Sequence, residues 1–185
     1  MLVSCDLLGL APAMKMARIT TNIGVRFCRS TMDGLKTVYP SSIEFRRTLY
    51  YHHTELEYGI PFEAYRACLE EILAMLERKK FVCVVEVRFA PDRSQGLMGP
   101  GVGRRTCFIE LAPSLSRDPT AIFEEAEKIF WRHQGQLHFG KVTWATPERL
   151  NAMFGERFES FQKVRREQDG VGKFENAFTR HLFGA

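Results

Sequence analysis

The 185-residue sequence lacks the paired cysteines that build zinc sites and redox centres. Its five cysteines, Cys5, Cys28, Cys68, Cys83 and Cys107, are odd in number, and no two stand in a Cys-x-x-Cys spacing. That argues against a zinc cluster and against a disulfide framework. Cys68, Cys83 and Cys107 sit among apolar neighbours and read as small core residues in a reducing compartment. Also missing are Gly-x-Gly-x-x-Gly, the P-loop, Gly-x-Ser-x-Gly and His-Glu-x-x-His, so no local motif announces a chemistry. No apolar run approaches the ~20 residues of a membrane span. Asp6 and Lys15 interrupt the apolar N-terminal stretch, and its basic residues follow the apolar ones, a poor secretory pattern. There is no repeat and no low-complexity tract.

What is present is an ordinary globular composition: 45% hydrophobic, 26% charged and rich in phenylalanine, 15 residues in all. This suits one domain with a filled core. The net charge is +4, but Lys and Arg are scattered, with pairs such as Arg104-Arg105 and Arg165-Arg166 as the densest clusters. A nucleic-acid surface would concentrate them in a stripe, so nucleic acid is not an expected partner. The expected location is cytoplasmic, with peripheral membrane attachment left open.

Residues 1–45 read as an extension or linker remnant, with a short helical pattern at Met14–Arg18 and a loop around Gly34 and Pro40. From about residue 46 the pattern sharpens. Thr48, Tyr50, Thr54, Leu56 and Tyr58 are strand formers, with Gly59 and Pro61 ending the run. Pro61 then opens a helix whose apolar stripe is Tyr65, Cys68, Leu69, Ile72, Leu73 and Leu76. "FVCVVEVRF" and "RRTCFIELA" are strands separated by a Gly-rich loop. Asp118-Pro119 starts a second helix, with Ile122, Phe123, Ala126, Ile129 and Phe130 inward. Leu137–Val142 supplies a last strand, Thr146-Pro147 caps another helix, and Phe158, Phe161 and Val164 mark one more. An aromatic tail follows. The order is that of a split β-α-β layout. The expected class is α+β: a ferredoxin-like antiparallel sheet with helices on one face, plus C-terminal helices.

Three places carry candidate chemistry. In "CVVEVRF", alternation puts Glu86 and Arg88 on one face, with α-carbons ~6.5–7 Å apart. A charged pair in so apolar a strand is either a salt bridge on a solvated face or part of a cleft in which Arg88 meets negative charge. Glu110 shares a face with Thr106 and Phe108. It reaches the Glu86 surface if the two strands pair, and otherwise faces solvent. His138 and Lys141 flank Gly140 and are either structural or ligand-facing. His52 and His53 point to opposite strand faces and cannot share a metal, and His133 ends a helix. No metal is expected.

Taken in order, "ELEYGIP", "VEVRF", "GVGRRTCFIEL", "HFGK", "FQKVRREQD" and "FENAFTRHLFG" resemble the C-terminal substrate, or cap, domain of the sugar-1,4-lactone oxidases. These are flavoproteins of the vanillyl-alcohol-oxidase type. The resemblance covers roughly residues 45–185 and assigns 46–185 as the cap domain. It implies an FAD-linked oxidase that oxidises an aldonolactone or polyol by hydride transfer to flavin N5. Glu86, Arg88 and Lys141 would be catalytic. Glu110 and His138 would bind substrate, and Arg88, His138, Lys141 and Asn176 would contact the flavin. Phe139 stands where the family usually has Trp, and Glu110 where alditol oxidase carries a histidine. Residues 1–45 are too short for the family's FAD-binding domain. FAD is therefore expected to be held mainly by a separate domain or subunit, without which the chain is inactive. The competing expectation is a non-catalytic remnant, or a ferredoxin-like binding module using its sheet.

Overall fold

The computed structural model describes residues 53–92, 96–114 and 117–184. The expectations for 1–45, for Thr48, Tyr50 and His52, and for Cys5 and Cys28 lie outside them. The chain divides into two compact units. In the smaller, Met1–His53 with Ser114–Arg117, His53 bridges Ser114. The larger unit, 54–113 with 118–185, carries the elements below.

Four strands, β1 (Leu56–Pro61), β2 (Val84–Ala90), β3 (Thr106–Ala112) and β4 (Gln136–Leu137), form a sheet in the order β2-β3-β1-β4. Every neighbouring pair is antiparallel, so β1 and β2 run parallel with β3 inserted between them. This is the expected split β-α-β arrangement, α+β in class. Alternation decides the faces. Leu56, Tyr58 and Ile60 of β1 and Cys107, Ile109 and Leu111 of β3 are fully buried. They pack against α1 (Tyr65–Arg78) and α2 (Thr120–Arg132). Tyr58 stacks on Phe130 at 5.1 Å. The inward apolar residues of α2 are those its periodicity gave, and Glu127 is buried with them. In α1 they are Cys68, Ile72, Met75 and Leu76, whereas Leu73 is exposed, because one residue past Ile72 is a turn of ~100°.

Four expectations need correction. Gly59 lies inside β1 and does not end it; Pro61 does. Gly59 is required there, since a Cβ would come within 2.8 Å of Thr106 Cγ2 and 3.2 Å of Pro100 Cβ. Pro61 stands at the strand end, where it is tolerated, and α1 begins only at Tyr65, after a turn. The last strand is two residues long, and His138–Lys141 is a turn closed by Lys141 N donating to His138 O. The aromatic tail contains a helix, α5 (Ala177–Phe183), opened by an Asn176–Thr179 capping box.

Thr146 caps α3 (Pro147–Phe154) as expected, and α4 (Glu156–Gln168) follows. Asp118 accepts the Thr120 amide, with α2 starting one residue beyond Pro119. Phe183 of α5 packs on Phe139, Phe158 and Phe161, and Leu182 is fully buried. Cys68 and Cys107 are buried free thiols and Cys83 is half-buried. Burial pushes the Cys68 and Cys83 thiols up to about 12 and Cys107 to about 11, so none is a ready nucleophile. Among the described residues, no helix is long and apolar enough to cross a membrane.

Candidate functional site

The sheet face opposite α1 and α2 carries the polar side chains of β1, β2 and β3. Register places Glu57, Glu110 and Glu86 side by side across the three strands. Like charges directly opposite are destabilising, so this row needs cations, and two are present. Arg88, next along β2 on the same face, is paired with Glu57 through Nη2, with Glu86 through Nε at 3.3 Å and with Glu110 at 3.7 Å. Lys141, from the turn after β4, is paired with Glu55 and lies 3.2 Å from Glu110 Oε2. Glu110 is thus shared by both cations.

Depth separates these groups. The Glu57 side chain is fully buried, that of Glu110 is 7% exposed, Lys141 18% and Arg88 48%. Burial raises the Glu110 carboxyl above its ordinary range; the Glu55 and Glu57 charges add to this, and Lys141 opposes it. Burial alone would weaken the charge on Arg88 and Lys141, but their carboxylate partners outweigh it and hold both above their ordinary values. Both cations therefore stay charged through neutral pH. Among the described residues each also keeps an unspent donor: Arg88 Nη1 has no partner there, and Lys141 uses two of its three N–H groups. These donors suit an oxygen that carries or develops negative charge.

The folded state holds the Glu110 proton more tightly than the unfolded chain does. Its ionisation therefore costs stability as pH rises through the folded value. Glu110→Gln is expected to raise stability at pH 7, and the gain should shrink as pH falls to the ordinary carboxylate range. Urea unfolding of both proteins at the two pH values measures it.

The structure thus brings together Glu86, Arg88, Glu110 and Lys141. The other two candidate side chains make contacts of their own. His138 Nδ1 accepts the Gly140 amide at 3.2 Å within its own turn. Asn176 is exposed and caps α5 through Thr179 N. Two members of the network were missed, Glu55 and Glu57. The alternation Glu55-Leu56-Glu57-Tyr58 put both carboxylates opposite the buried Leu56 and Tyr58, and that signal was legible.

The turn bearing Lys141 is held from two sides. His138 N donates to Glu57 O and Val142 N to Glu55 O. From the core side, the buried Glu127 of α2 accepts from Tyr58 Oη and Thr143 Oγ1, both at 2.6 Å, and from Trp144 N at 3.1 Å. Trp131 Nε1 donates to Tyr58 Oη at 3.2 Å. Burial, then the Glu127 charge, pushes the Tyr58 phenol well above its ordinary range, so it remains a donor.

Comparison with known proteins gives the family. The D-arabinono-1,4-lactone oxidase family profile matches residues 9–182, beginning nearer the N-terminus than the resemblance read from the sequence. An L-gulono-1,4-lactone dehydrogenase of Mycobacterium tuberculosis (strain CDC 1551 / Oshkosh) is 31% identical over 134 residues, 71% of this chain and 31% of that protein. Its counterpart in strain ATCC 25618 / H37Rv matches to the same extent. The chain thus spans about a third of the length of the curated relatives it matches. With the profile covering most of its length, the chain belongs to the D-arabinono-1,4-lactone oxidase family, a family of sugar-lactone oxidoreductases.

Proposed function

We propose that residues 46–185 form the substrate-side domain of an FAD-linked oxidoreductase that oxidises a sugar 1,4-lactone or a related polyol. The observation that carries this reading is the pair of unspent donors, on Arg88 and Lys141, beside the Glu86–Glu110–Glu57 row in a chain of this family. A hydroxyl-rich neutral ligand needs both acceptors and donors. Glu86, 36% exposed, accepts from a ligand hydroxyl. Arg88 Nη1 and the third N–H of Lys141 donate to the oxygen on the carbon being oxidised. Negative charge grows on this oxygen as its hydroxyl proton passes to the Glu86 carboxylate, and the two donors stabilise that charge more strongly as it grows, which is the condition for catalysis as distinct from binding.

The family is generally FAD-dependent, and the residues fit such a group. The Arg88 guanidinium is half-exposed and planar and lies 5.9 Å from the Phe108 ring, so it can offer N–H groups to a flat heterocycle's oxygens or nitrogens. Bound FAD would supply the two-electron acceptor. Arg88 and Lys141 are the contacts this chain offers it. His138 Nδ1 is engaged in its own turn and Asn176 Oδ1 in its own helix cap.

The test is to co-express the chain with the FAD-binding domain of a relative and follow flavin absorbance on adding L-gulono-1,4-lactone. The proposal predicts a stable complex whose flavin is bleached by the lactone. Absence of a complex, or a complex blind to lactones and polyols alike, refutes it.

A further inference from the structure

We infer that Glu57 is the positioning residue of Arg88: it decides which edge of the guanidinium faces outward. An arginine nearly half exposed on a strand has many rotamers open to it. Of its three carboxylate partners, Glu86 is itself part-exposed and Glu110 stands 3.7 Å away. Glu57 differs from both. Its side chain is fully buried, Oε1 takes Arg88 Nη2, and Oε2 is buried with no hydrogen-bond partner. Its neighbours Leu56 and Tyr58 are fully buried, and its carbonyl accepts His138 N. A carboxylate fixed in this way, with one oxygen unsatisfied, depends on its only strong partner among the described residues. The dependence runs both ways. Nη2 is drawn down to Glu57, Nε is left to Glu86, and Nη1 is turned out. Because the Glu57 carbonyl also anchors the turn that bears Lys141, one residue sets the spacing of both donors.

The inference rests on the proposed function only for what the outward edge meets; the lock itself needs no ligand to be read. The experiment is nitrogen-15 NMR of the Arg88 side chain in the full chain, assigned by loss of the signals in Arg88→Lys. The unmodified protein should show separate Nη1 and Nη2 resonances, because rotation about the Nε–Cζ bond is stopped. Glu57→Gln should merge them and speed N–H exchange with water by about tenfold or more, the factor a lost charge-assisted hydrogen bond is worth. Backbone amide shifts away from β1 and β2 should stay in place. Glu57→Asp, which keeps the charge but retracts it by one methylene, should loosen Arg88 in the same way. Glu86→Gln, a change at a part-exposed site, should leave the two resonances apart. Resolved signals in both Glu57 variants, or signals merged by Glu86→Gln alone, would overturn the inference. Either result would leave the lactone test untouched, since that assay reads the ligand and this one does not.

Discussion

Replacing Arg88 with Met is expected to destabilise the fold by about 3 kcal/mol, the lower end of the range for breaking a buried ion pair. The reason lies beneath Arg88. Its own guanidinium is about half in water, but Glu57 is not in water at all, and its second oxygen already lacks a partner. Met keeps much of the length and can still lie along Phe108, so little packing is lost. What is lost is the cation, and a buried carboxylate without one is costly. Glu57→Gln in the Arg88→Met background should restore much of the loss at pH 7. Urea unfolding of the single and double variants measures both effects, and a loss under about 1 kcal/mol would mean that Arg88 behaves as an ordinary surface pair.

Glu127→Ala should cost at least as much, on the order of 3–5 kcal/mol. It removes the acceptor of the Tyr58 hydroxyl, the Thr143 hydroxyl and the Trp144 amide; the two hydroxyls, 3.2 Å apart, can turn one O–H to the other, which leaves one O–H and the amide unsatisfied, each worth about 1–3 kcal/mol when buried. Glu127→Gln should cost less, because one amide oxygen can still accept. The loss would not stop at stability. Thr143 and Trp144 follow directly on the turn that carries Lys141, so loosening them frees that lysine. Chemical denaturation gives the stability change. Amide hydrogen exchange at residues 141–145 gives the second, and it should quicken there before it quickens in α1.

The parts of this fold legible in the sequence were those governed by strict periodicity. In β2 and β3, alternation placed Glu86, Arg88 and Glu110 on one face and the apolar residues on the other, and pairing of the two strands made that one surface. The apolar interior of α2 followed from its spacing, though its buried Glu127 did not. Strand β1 was harder, because Gly59 and Pro61 are ordinarily terminators. Here the packing of Thr106, Phe108 and Pro100 over Gly59 makes glycine a requirement of the strand. Strand β4 is fixed by a few long-range hydrogen bonds to β1, which no local pattern of two residues reveals. Helix α5 was read as a tail because its aromatic residues satisfy no amphipathic period by themselves; Phe183 and Leu182 gain their meaning from Phe139, Phe158 and Phe161. The Tyr58–Glu127 pair, 69 residues apart in sequence, offered no signal at all. A tyrosine in a strand and a glutamate in a helix are ordinary until the fold makes them neighbours.

The most direct test is the rate at which L-gulono-1,4-lactone reduces the flavin when this chain is assembled with an FAD-binding domain, compared between Lys141→Met and Lys163→Met. Lys163 is 76% exposed on α4, 4.0 Å from Glu167, and its loss should leave the rate unchanged. Loss of Lys141 should lower it by ~10²–10³, as removal of one donor to a developing oxyanion does, with Arg88 still charged beside it. Equal rates in the two variants would contradict the assignment of this sheet face to the substrate.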